Sequence, residues 1–175
     1  MERVLGIRGT AHLAARRQRK QHPEYFLWGF VRHPCDRILS AYYYECRAER
    51  KEASTRGLRA YVASPPRKLH TLPQIRFTHA GNRLLLDFVG RFESIDADFA
   101  RICGRLGIET APLPFANQTQ HAPWTDLFST RMIQDTRRNF AADFERFGYD
   151  PFTPHSPTST VGTRLIGNQE QEPAL

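Results

Sequence analysis

The most specific candidate site in the sequence lies where an apolar run ends in an arginine and a helix begins. Arg32 follows the apolar run from Tyr25 to Val31, Pro34 stands where a helix would begin, and Ser40 lies further along that helix. A continuous apolar run of this kind is typical of a strand that is covered on both faces. Free backbone N–H groups at a helix start and a guanidinium at a strand end converge on one spot. The stretch therefore predicts an anion-binding site.

The predicted helix has a polar face within an otherwise apolar sequence. Asp36 lies in the first turn, where a carboxylate suits the positive end of the helix dipole. Spacings of three and four residues place further polar side chains on one face, namely Arg37, Ser40 and Tyr44. Such a face is not simple core. A second interpretation stays open for Arg32, which is an ion pair with Asp36 or with a carboxylate elsewhere in the chain.

These residues resemble the signature R-x-P-x-x-R-x-x-S-A-Y of sulfotransferases that use 3′-phosphoadenosine 5′-phosphosulfate. The resemblance is to the carbohydrate group that includes the chondroitin and heparan enzymes, sulfotransferase family 2. The matching residues are Arg32, Pro34, Arg37, Ser40, Ala41 and Tyr42. The resemblance implies that Arg32 and Ser40 bind the 3′-phosphate of the sulfate donor. A planar guanidinium and a neighbouring hydroxyl group suit that role.

Two later stretches resemble the same family, so the resemblance covers residues 10–152. One is D-F-V-G-R-F-E-S-I-D-A-D-F-A-R-I-C, and the other is the closing D-F-E-R-F-G-Y-D. The resemblance implies that Arg91 approaches the donor phosphate. An ion pair of Arg91 with Glu93 or Asp98 is the competing interpretation. Where relatives often show L-P-H-x-N, this chain has Phe115 in place of the histidine and retains Asn117.

The family usually opens with a strand, a loop resembling K-x-G-x-T-S and a helix that bind the 5′-phosphosulfate. The nearest string here runs from Gly6 to Thr10 and contains no lysine. No apolar strand of useful length precedes it, and a strand, loop and helix occupy about 30 residues or more. We therefore expect a family member that begins after this loop, as a fragment, through a misplaced start or as a degenerate copy.

The resemblance also suggests candidates for the catalytic base and for acceptor contacts. Relatives often have a histidine on the segment before the phosphate-binding strand, so His12 is the first candidate base, ahead of His33 within the turn. A histidine with an ordinary pKa suits proton transfer near neutral pH. The competing interpretation of His12 is an exposed helix residue without a role. Candidate acceptor contacts are Arg67, Lys68, His70 and His79, whose spacing supports no metal site.

The composition favours an anionic partner. The 175 residues have a formal net charge of +7 and a pI near 9.8, which suits a nucleotide, an acidic acceptor, nucleic acid or a membrane surface. The basic run Arg16, Arg17, Arg19 and Lys20 is interpreted as a solvated helix end or as an anion contact. Nucleic-acid binding is the less favoured alternative, because the tyrosines at 42–44 lie on a helix expected to be buried.

Cysteine use and hydropathy favour a reducing compartment. There are three cysteines, an odd number. Cys35 and Cys46 would lie ~16 Å apart along one helix, too far for a disulfide. No apolar run approaches the length of a membrane span, and the first twenty residues contain no signal-peptide core. We therefore expect a cytoplasmic protein.

Local patterns predict the remaining elements. Helices are expected over Thr10–Lys20, from Ser94 to Gly107, from a cap at Ser129 through Arg138, and along Phe140, Phe144 and Phe147 to Gly148. A buried strand interrupted by Asp87 is expected over Leu84–Val89. Residues 1–152 are expected to form the sulfotransferase-like domain, and residues 153–175 a disordered tail without periodicity.

Together these observations predict an α/β protein with a P-loop NTPase-like three-layer fold and a parallel sheet. Its expected reaction moves a sulfuryl group from 3′-phosphoadenosine 5′-phosphosulfate to a hydroxyl or amine of a carbohydrate or small acceptor, without a metal. The alternative is an inactive family member that only binds the nucleotide. The sequence does not determine the acceptor or the oligomeric state.

Overall fold

The computed structural model describes residues 15–113 and 121–154. The helices are α1 (Ala15–Gln21), α2 (Pro34–Ala48), α3 (Thr55–Ala63), α4 (Ile75–Thr78), α5 (Ile95–Leu106), α6 (Trp124–Leu127), α7 (Thr130–Asn139) and α8 (Ala141–Phe147). The strands are β1 (Trp28–Val31), β2 (His79–Ala80), β3 (Arg83–Leu84) and β4 (Phe88–Arg91). Short 3₁₀ turns cover Leu69–Thr71 and Phe92–Ser94.

Two parallel strands bring distant parts of the chain to one edge. Strand β1 pairs with β4 in parallel, from Trp28 opposite Phe88 to Val31 opposite Arg91. Parallel neighbours run in the same direction, so both strands end at the same edge of the sheet. The segments that follow β1 and β4 therefore emerge side by side. The predicted α/β class with a parallel sheet is confirmed for this small sheet.

Asp87 determines where the parallel pairing begins. Its Oδ2 accepts hydrogen bonds from the Leu27 amide at 2.8 Å and from Arg19 Nη2 at 2.5 Å. The predicted strand over Leu84–Val89 is therefore confirmed only at Phe88 and Val89, after the interruption at Asp87. Its first residue ends β3, which pairs with β2 in a short antiparallel hairpin, and only Phe88–Arg91 joins β1. A side chain satisfies the backbone N–H that a ladder would otherwise bind.

Helix α1 is attached to the rest of the domain through Arg19. Its guanidinium donates hydrogen bonds to the carbonyl groups of Leu85, Pro23 and Tyr25, in addition to the ion pair with Asp87. The described part of the predicted first helix ends at Gln21. One member of the basic run thus connects structural elements.

Helix α2 is the central helix of the hydrophobic core. It begins at Pro34, as predicted, and Leu39 on its inner face is fully buried. Leu39 shares one core cluster with Val62 of α3, Trp124 of α6 and Phe144 of α8. Burial of a large apolar side chain contributes about 1.5–3 kcal/mol. This packing fixes the orientation of α2 and with it the turn that follows β1.

The predicted helix ends in the second half of the chain are confirmed. Helix α5 ends at Gly107 and α8 ends at Gly148, both with φ of +64°, a left-handed conformation that glycine adopts without steric cost. Ser129 caps α7, its Oγ accepting a hydrogen bond from the Met132 amide at 3.4 Å. Phe140 lies between α7 and α8 rather than within one continuous helix.

Within the described ranges 15–113 and 121–154, no helix is both long and apolar enough to cross a membrane. In the same residues, no group of three or more histidine, cysteine, aspartate or glutamate side chains is placed to bind a metal ion. Cys35, Cys46 and Cys103 are free thiols.

A buried carboxylate connects α8 to the segment before α4. Asp143 is fully buried, and its two oxygens accept hydrogen bonds from the amides of Gln74 at 2.8 Å and Ile75 at 2.9 Å. Burial raises the pKa of this carboxyl group, while the two amides oppose the rise. The Gln74 side chain in turn binds the backbone of Arg32. Asp143 therefore supports the segment that orients the end of β1.

We expect Asp143→Ala to lower the free energy of unfolding by about 3 kcal/mol, because two backbone N–H groups lose their partner in the interior. Glu145→Ala removes an exposed carboxylate from the same helix and should change it by less than about 0.5 kcal/mol. Urea denaturation followed by circular dichroism measures both. Equal effects of the two variants would contradict the structural role of Asp143.

Candidate functional site

The backbone at the end of β1 is fixed by an amide side chain. Gln74 Oε1 accepts a hydrogen bond from the Arg32 amide at 2.9 Å, and Gln74 Nε2 donates one to the Arg32 carbonyl at 2.9 Å. Both backbone groups of Arg32 are thereby satisfied without a neighbouring strand on that side. The residue that the sequence predicts as an anion contact is thus positioned by a two-point contact.

The Arg32 side chain lies at the edge of the sheet where both strands end. Its Nε is 2.5 Å from Asp36 Oδ2, and its guanidinium carbon lies 4.4 Å from the centre of the Phe92 ring. The side chain is 22% exposed, so it is partly accessible to solvent. The ion pair that is the second interpretation of Arg32 does form, and a partly exposed pair of this type contributes about 1 kcal/mol or less.

His33 is buried within the turn between β1 and α2 and does not form part of its surface. Its Nδ1 accepts a hydrogen bond from the Cys35 amide at 3.2 Å, and its Nε2 lies 2.9 Å from the Asp150 carbonyl. The ring is 1% exposed and is stacked on Trp124 at 4.8 Å. Both ring nitrogens are engaged and the ring is buried, so His33 functions as the cap of α2.

Glu93 joins the two strand ends. Its Oε1 accepts a hydrogen bond from the His33 amide at 2.6 Å, and its Oε2 accepts one from the Tyr149 hydroxyl at 3.1 Å. Burial raises the pKa of Tyr149, and the nearby Glu93 charge raises it further. The segment after β4, the turn after β1 and the end of α8 are thus connected through one carboxylate.

Ser40 is half-buried on α2, four residues after Asp36. Residues four apart lie on the same face of a helix, one turn further along. Arg37, on the neighbouring part of that face, donates from Nη2 to the His70 carbonyl at 2.8 Å. The structure therefore brings Arg32 and Ser40 to the same side of α2, with Asp36 between them.

Arg91 differs from Arg32 because its side chain is enclosed. It is 3% exposed, Nη2 donates to the Phe147 carbonyl at 2.5 Å, and the guanidinium carbon lies 4.4 Å from the Tyr149 ring centre. Among the residues that the structure describes, Nε and Nη1 have no hydrogen-bond partner. Within the described residues, Arg91 forms no ion pair with Glu93 or Asp98, which was the competing interpretation. The Asp98 carboxylate accepts the Arg91 backbone amide at 2.7 Å instead.

Three residues singled out in the sequence lie outside the described residues, namely His12, Phe115 and Asn117. The string Gly6–Thr10 lies outside them as well. The role of His12 as a base therefore stays a prediction.

Comparison with known proteins decides the family. The model of the sulfotransferase family matches residues 7–150, most of the 175-residue chain. The chain belongs to the sulfotransferase family. No curated protein and no solved structure matches it. The resemblance found in the sequence is confirmed, and this sulfotransferase belongs to a class of enzymes that transfer sulfuryl groups.

A second polar cluster of this sulfotransferase lies on another side of α2. Glu45 Oε1 accepts a hydrogen bond from Tyr61 Oη at 2.5 Å and lies 2.8 Å from His70 Nε2, while Lys68 Nζ binds Oε2. Burial raises the pKa of Glu45, but the hydrogen bonds from Lys68, Tyr61 and His70 outweigh it and hold the pKa below its usual value. The cluster borders a cleft of about 290 Å³.

Lys68 and His70 were predicted from the sequence as acceptor contacts, whereas Glu45 and Tyr61 were not predicted as site residues. One local signal was available, because Glu45 lies near the end of α2, where the helix dipole disfavours a negative charge. An acid there needs a cation nearby. Its partners lie 16 to 25 residues away in the sequence, so no local spacing identifies them.

We expect the Cys35 thiol in the turn of this sulfotransferase to resist alkylation in the folded protein. Burial raises its pKa to about 12, so almost no thiolate forms at mildly alkaline pH. Cys46 on the same helix is half-buried and is the internal comparison. Iodoacetamide labelling followed by peptide mass spectrometry should modify Cys46 first, and both residues after denaturation in urea. Rapid labelling of Cys35 in the folded state would contradict its burial.

Proposed function

We propose that this sulfotransferase moves a sulfuryl group from 3′-phosphoadenosine 5′-phosphosulfate to a hydroxyl or amine of a carbohydrate or small acceptor. The observation that supports this most directly is the position of Arg32 at the shared edge of two parallel strands, with Ser40 on the same side of the following helix. Ligands of open α/β sheets bind outside the carboxyl ends of the strands. A P-loop NTPase-like arrangement of the whole domain is part of this proposal.

The side chains at this edge suit a phosphate. The Asp36 carboxylate already lies 2.5 Å from Arg32 Nε, which indicates that the guanidinium can bind an anionic group in this position. A phosphate offers more oxygen atoms than a carboxylate and forms charge-assisted, bidentate contacts with arginine. Arg32 and Ser40 are the proposed contacts of the 3′-phosphate. Arg91 is proposed as a contact only if its enclosed guanidinium becomes accessible on binding.

The bound donor would supply the sulfuryl group, and the protein would contribute position and charge. Arg32 would neutralise phosphate charge and orient the donor, and a base would remove the proton of the acceptor. Such an in-line displacement requires little covalent chemistry from the protein. We propose that residues 1–152 form the catalytic domain, that residues 153–175 form a tail, and that the protein acts in the cytoplasm.

Binding of 3′,5′-adenosine bisphosphate, measured by calorimetry, tests the donor site. We expect Arg32→Ala to weaken binding about ten- to a hundredfold, the loss of on the order of 1.5–3 kcal/mol from one charge-assisted contact. Arg137→Ala removes an exposed arginine from α7 and serves as the control of equal charge. It should change the affinity less than twofold.

Equal losses in the two variants would indicate general charge attraction and would overturn the proposed contact. Failure of the native chain to bind would overturn the donor site itself. Binding without sulfuryl transfer to any acceptor would favour the alternative, a family member that only binds the nucleotide.

We expect Asp36→Asn to strengthen bisphosphate binding about two- to fivefold, because the carboxylate competes with the phosphate for Arg32 and a partly exposed pair contributes about 1 kcal/mol or less. Asp126→Asn removes an exposed negative charge on α6 and measures the effect of net charge alone. The same calorimetric titration compares them. Weaker binding after Asp36→Asn would show that Asp36 orients Arg32 rather than competing with the ligand.

A further inference from the structure

Helix α1 presents a row of exposed cations on one side. Arg16, Arg17 and Lys20 are exposed, whereas Arg19 is bound to backbone carbonyl groups of the domain. Lys20 follows Arg17 by three residues and Arg16 by four, so these side chains lie on one side of the helix. Within the described part of the chain, none of the three forms an ion pair. They are therefore available to an anionic partner.

The elements that contact α1 extend this basic surface. Helix α1 packs against α4 and β2, and β2 pairs with β3. Arg76 on α4 and Arg83 on β3 are exposed, and no residue that the structure describes forms an ion pair with either of them. Beside the hairpin, Arg146 Nη2 binds Asn82 Oδ1 at 2.8 Å, and burial together with the Arg146 charge lowers the pKa of His79. We call the exposed cations of α1, α4 and β3 the α1 surface, namely Arg16, Arg17, Lys20, Arg76 and Arg83.

Nearby carboxylates cancel little of this charge. Asp87 lies 2.5 Å from Arg19 Nη2 and is neutralised by that ion pair. Glu24, in the loop after α1, is exposed and lies 3.9 Å from His22 Nδ1. The α1 surface therefore retains a net positive charge, which suits a partner that presents an array of phosphate groups.

Two large apolar side chains are exposed beside these cations. Tyr25 is 54% exposed and Leu84 is 43% exposed. Arg19 brings them near each other, because its guanidinium binds the carbonyl of Tyr25 at 3.1 Å and that of Leu85, the residue after Leu84, at 3.0 Å. The Tyr25 ring stacks on His22 at 4.5 Å, next to the end of α1. Exposed apolar side chains among cations are typical of surfaces that dock on lipid.

A second basic face of the domain lacks the apolar residues. Arg56 and Arg59 on α3 and Arg137 on α7 are exposed, and α3 packs against α7. Neither of these two helices, both fully described, exposes a large hydrophobic side chain. Cations alone attract any polyanion, including nucleic acid. The α1 surface differs because Tyr25 and Leu84 match what a bilayer offers in addition to phosphate, which is hydrocarbon.

We propose that the α1 surface docks this sulfotransferase on an anionic lipid bilayer. The exposed cations contact lipid phosphates, and the side chains of Tyr25 and Leu84 enter the layer between headgroups and acyl chains. Docking of this kind is peripheral and needs no membrane-spanning helix. It involves neither the donor site nor sulfuryl transfer, so it is independent of the proposed function.

Co-sedimentation of the full chain with vesicles tests this docking. Vesicles of equal parts phosphatidylcholine and phosphatidylglycerol should bind the protein, and vesicles of phosphatidylcholine alone should not. Each basic residue near an anionic bilayer strengthens binding about fivefold. We therefore expect the combined variant Arg16→Gln, Arg17→Gln and Lys20→Gln to bind the anionic vesicles on the order of a hundredfold more weakly.

A control variant removes the same charge from the second basic face. Combining Arg56→Gln, Arg59→Gln and Arg137→Gln should weaken binding less than about fivefold, because charges further from the bilayer are screened by salt. All of these residues are exposed, and circular dichroism verifies that both variants fold. Equal losses in the two variants would overturn the assignment to the α1 surface. Failure of the native chain to bind anionic vesicles would overturn the docking.

A third variant distinguishes a bilayer from other polyanions. Tyr25→Ser combined with Leu84→Ser leaves the net charge unchanged. It should weaken vesicle binding about tenfold, because apolar side chains no longer enter the bilayer, and leave any binding to duplex DNA unchanged. Vesicle binding equal to that of the native chain would show that the surface recognises charge alone and would overturn the bilayer as its partner. Tighter binding of the native chain to duplex DNA than to the vesicles would overturn it in favour of nucleic acid.

Discussion

The parallel pairing of β1 with β4 is the constraint on which the site depends. It brings Val31 opposite Arg91, so segments separated by about sixty residues end at one edge of the sheet. The turn before α2 and the segment after β4 then become neighbours, and Arg32 lies over Phe92 while the His33 amide reaches Glu93. A shift of one residue in this register would move these side chains to the opposite face of the sheet and remove each contact.

Carboxylates organise a site that is predicted to bind an anion. Glu93 and Asp143 accept hydrogen bonds from backbone N–H groups around the strand ends, and Asp36 pairs with Arg32. The first two are engaged by backbone amides, so they shape the site without neutralising its guanidinium. Of these three carboxylates, Asp36 forms the ion pair with the Arg32 guanidinium, and its side chain is 24% exposed. Glu93 and Asp143 therefore hold the turn together, whereas Asp36 competes with a ligand for Arg32. The net charge of +7 still favours an anionic ligand.

Local patterns predicted the parts of the fold that depend on neighbouring residues. The start of α2 at Pro34 and the ends of α5 and α8 at Gly107 and Gly148 follow from backbone preferences of single residues. The sequence indicated an interruption at Asp87, but not its reason, because Asp87 accepts a hydrogen bond from an amide sixty residues away and no local period records such a contact. The contacts of Glu45 with Tyr61 and His70 likewise join residues 16 and 25 positions apart, so no local period records them. The Arg32–Asp36 pair could be predicted because the two residues are only four apart in the sequence.

Helix α2 has polar contacts on two different faces. Asp36 and Ser40 lie on one face, next to Arg32, and Glu45 lies on another, where it orients His70. Arg37 connects the faces, since it shares the first with Ser40 and binds the His70 carbonyl. Because α2 is one continuous helix and Leu39 is fully buried in the core, the distance between Asp36 and Glu45 is determined by the helix and its packing. A transfer reaction at the edge beside Arg32 requires a rigid support of this kind, since small misplacements of reacting groups cost large factors in rate.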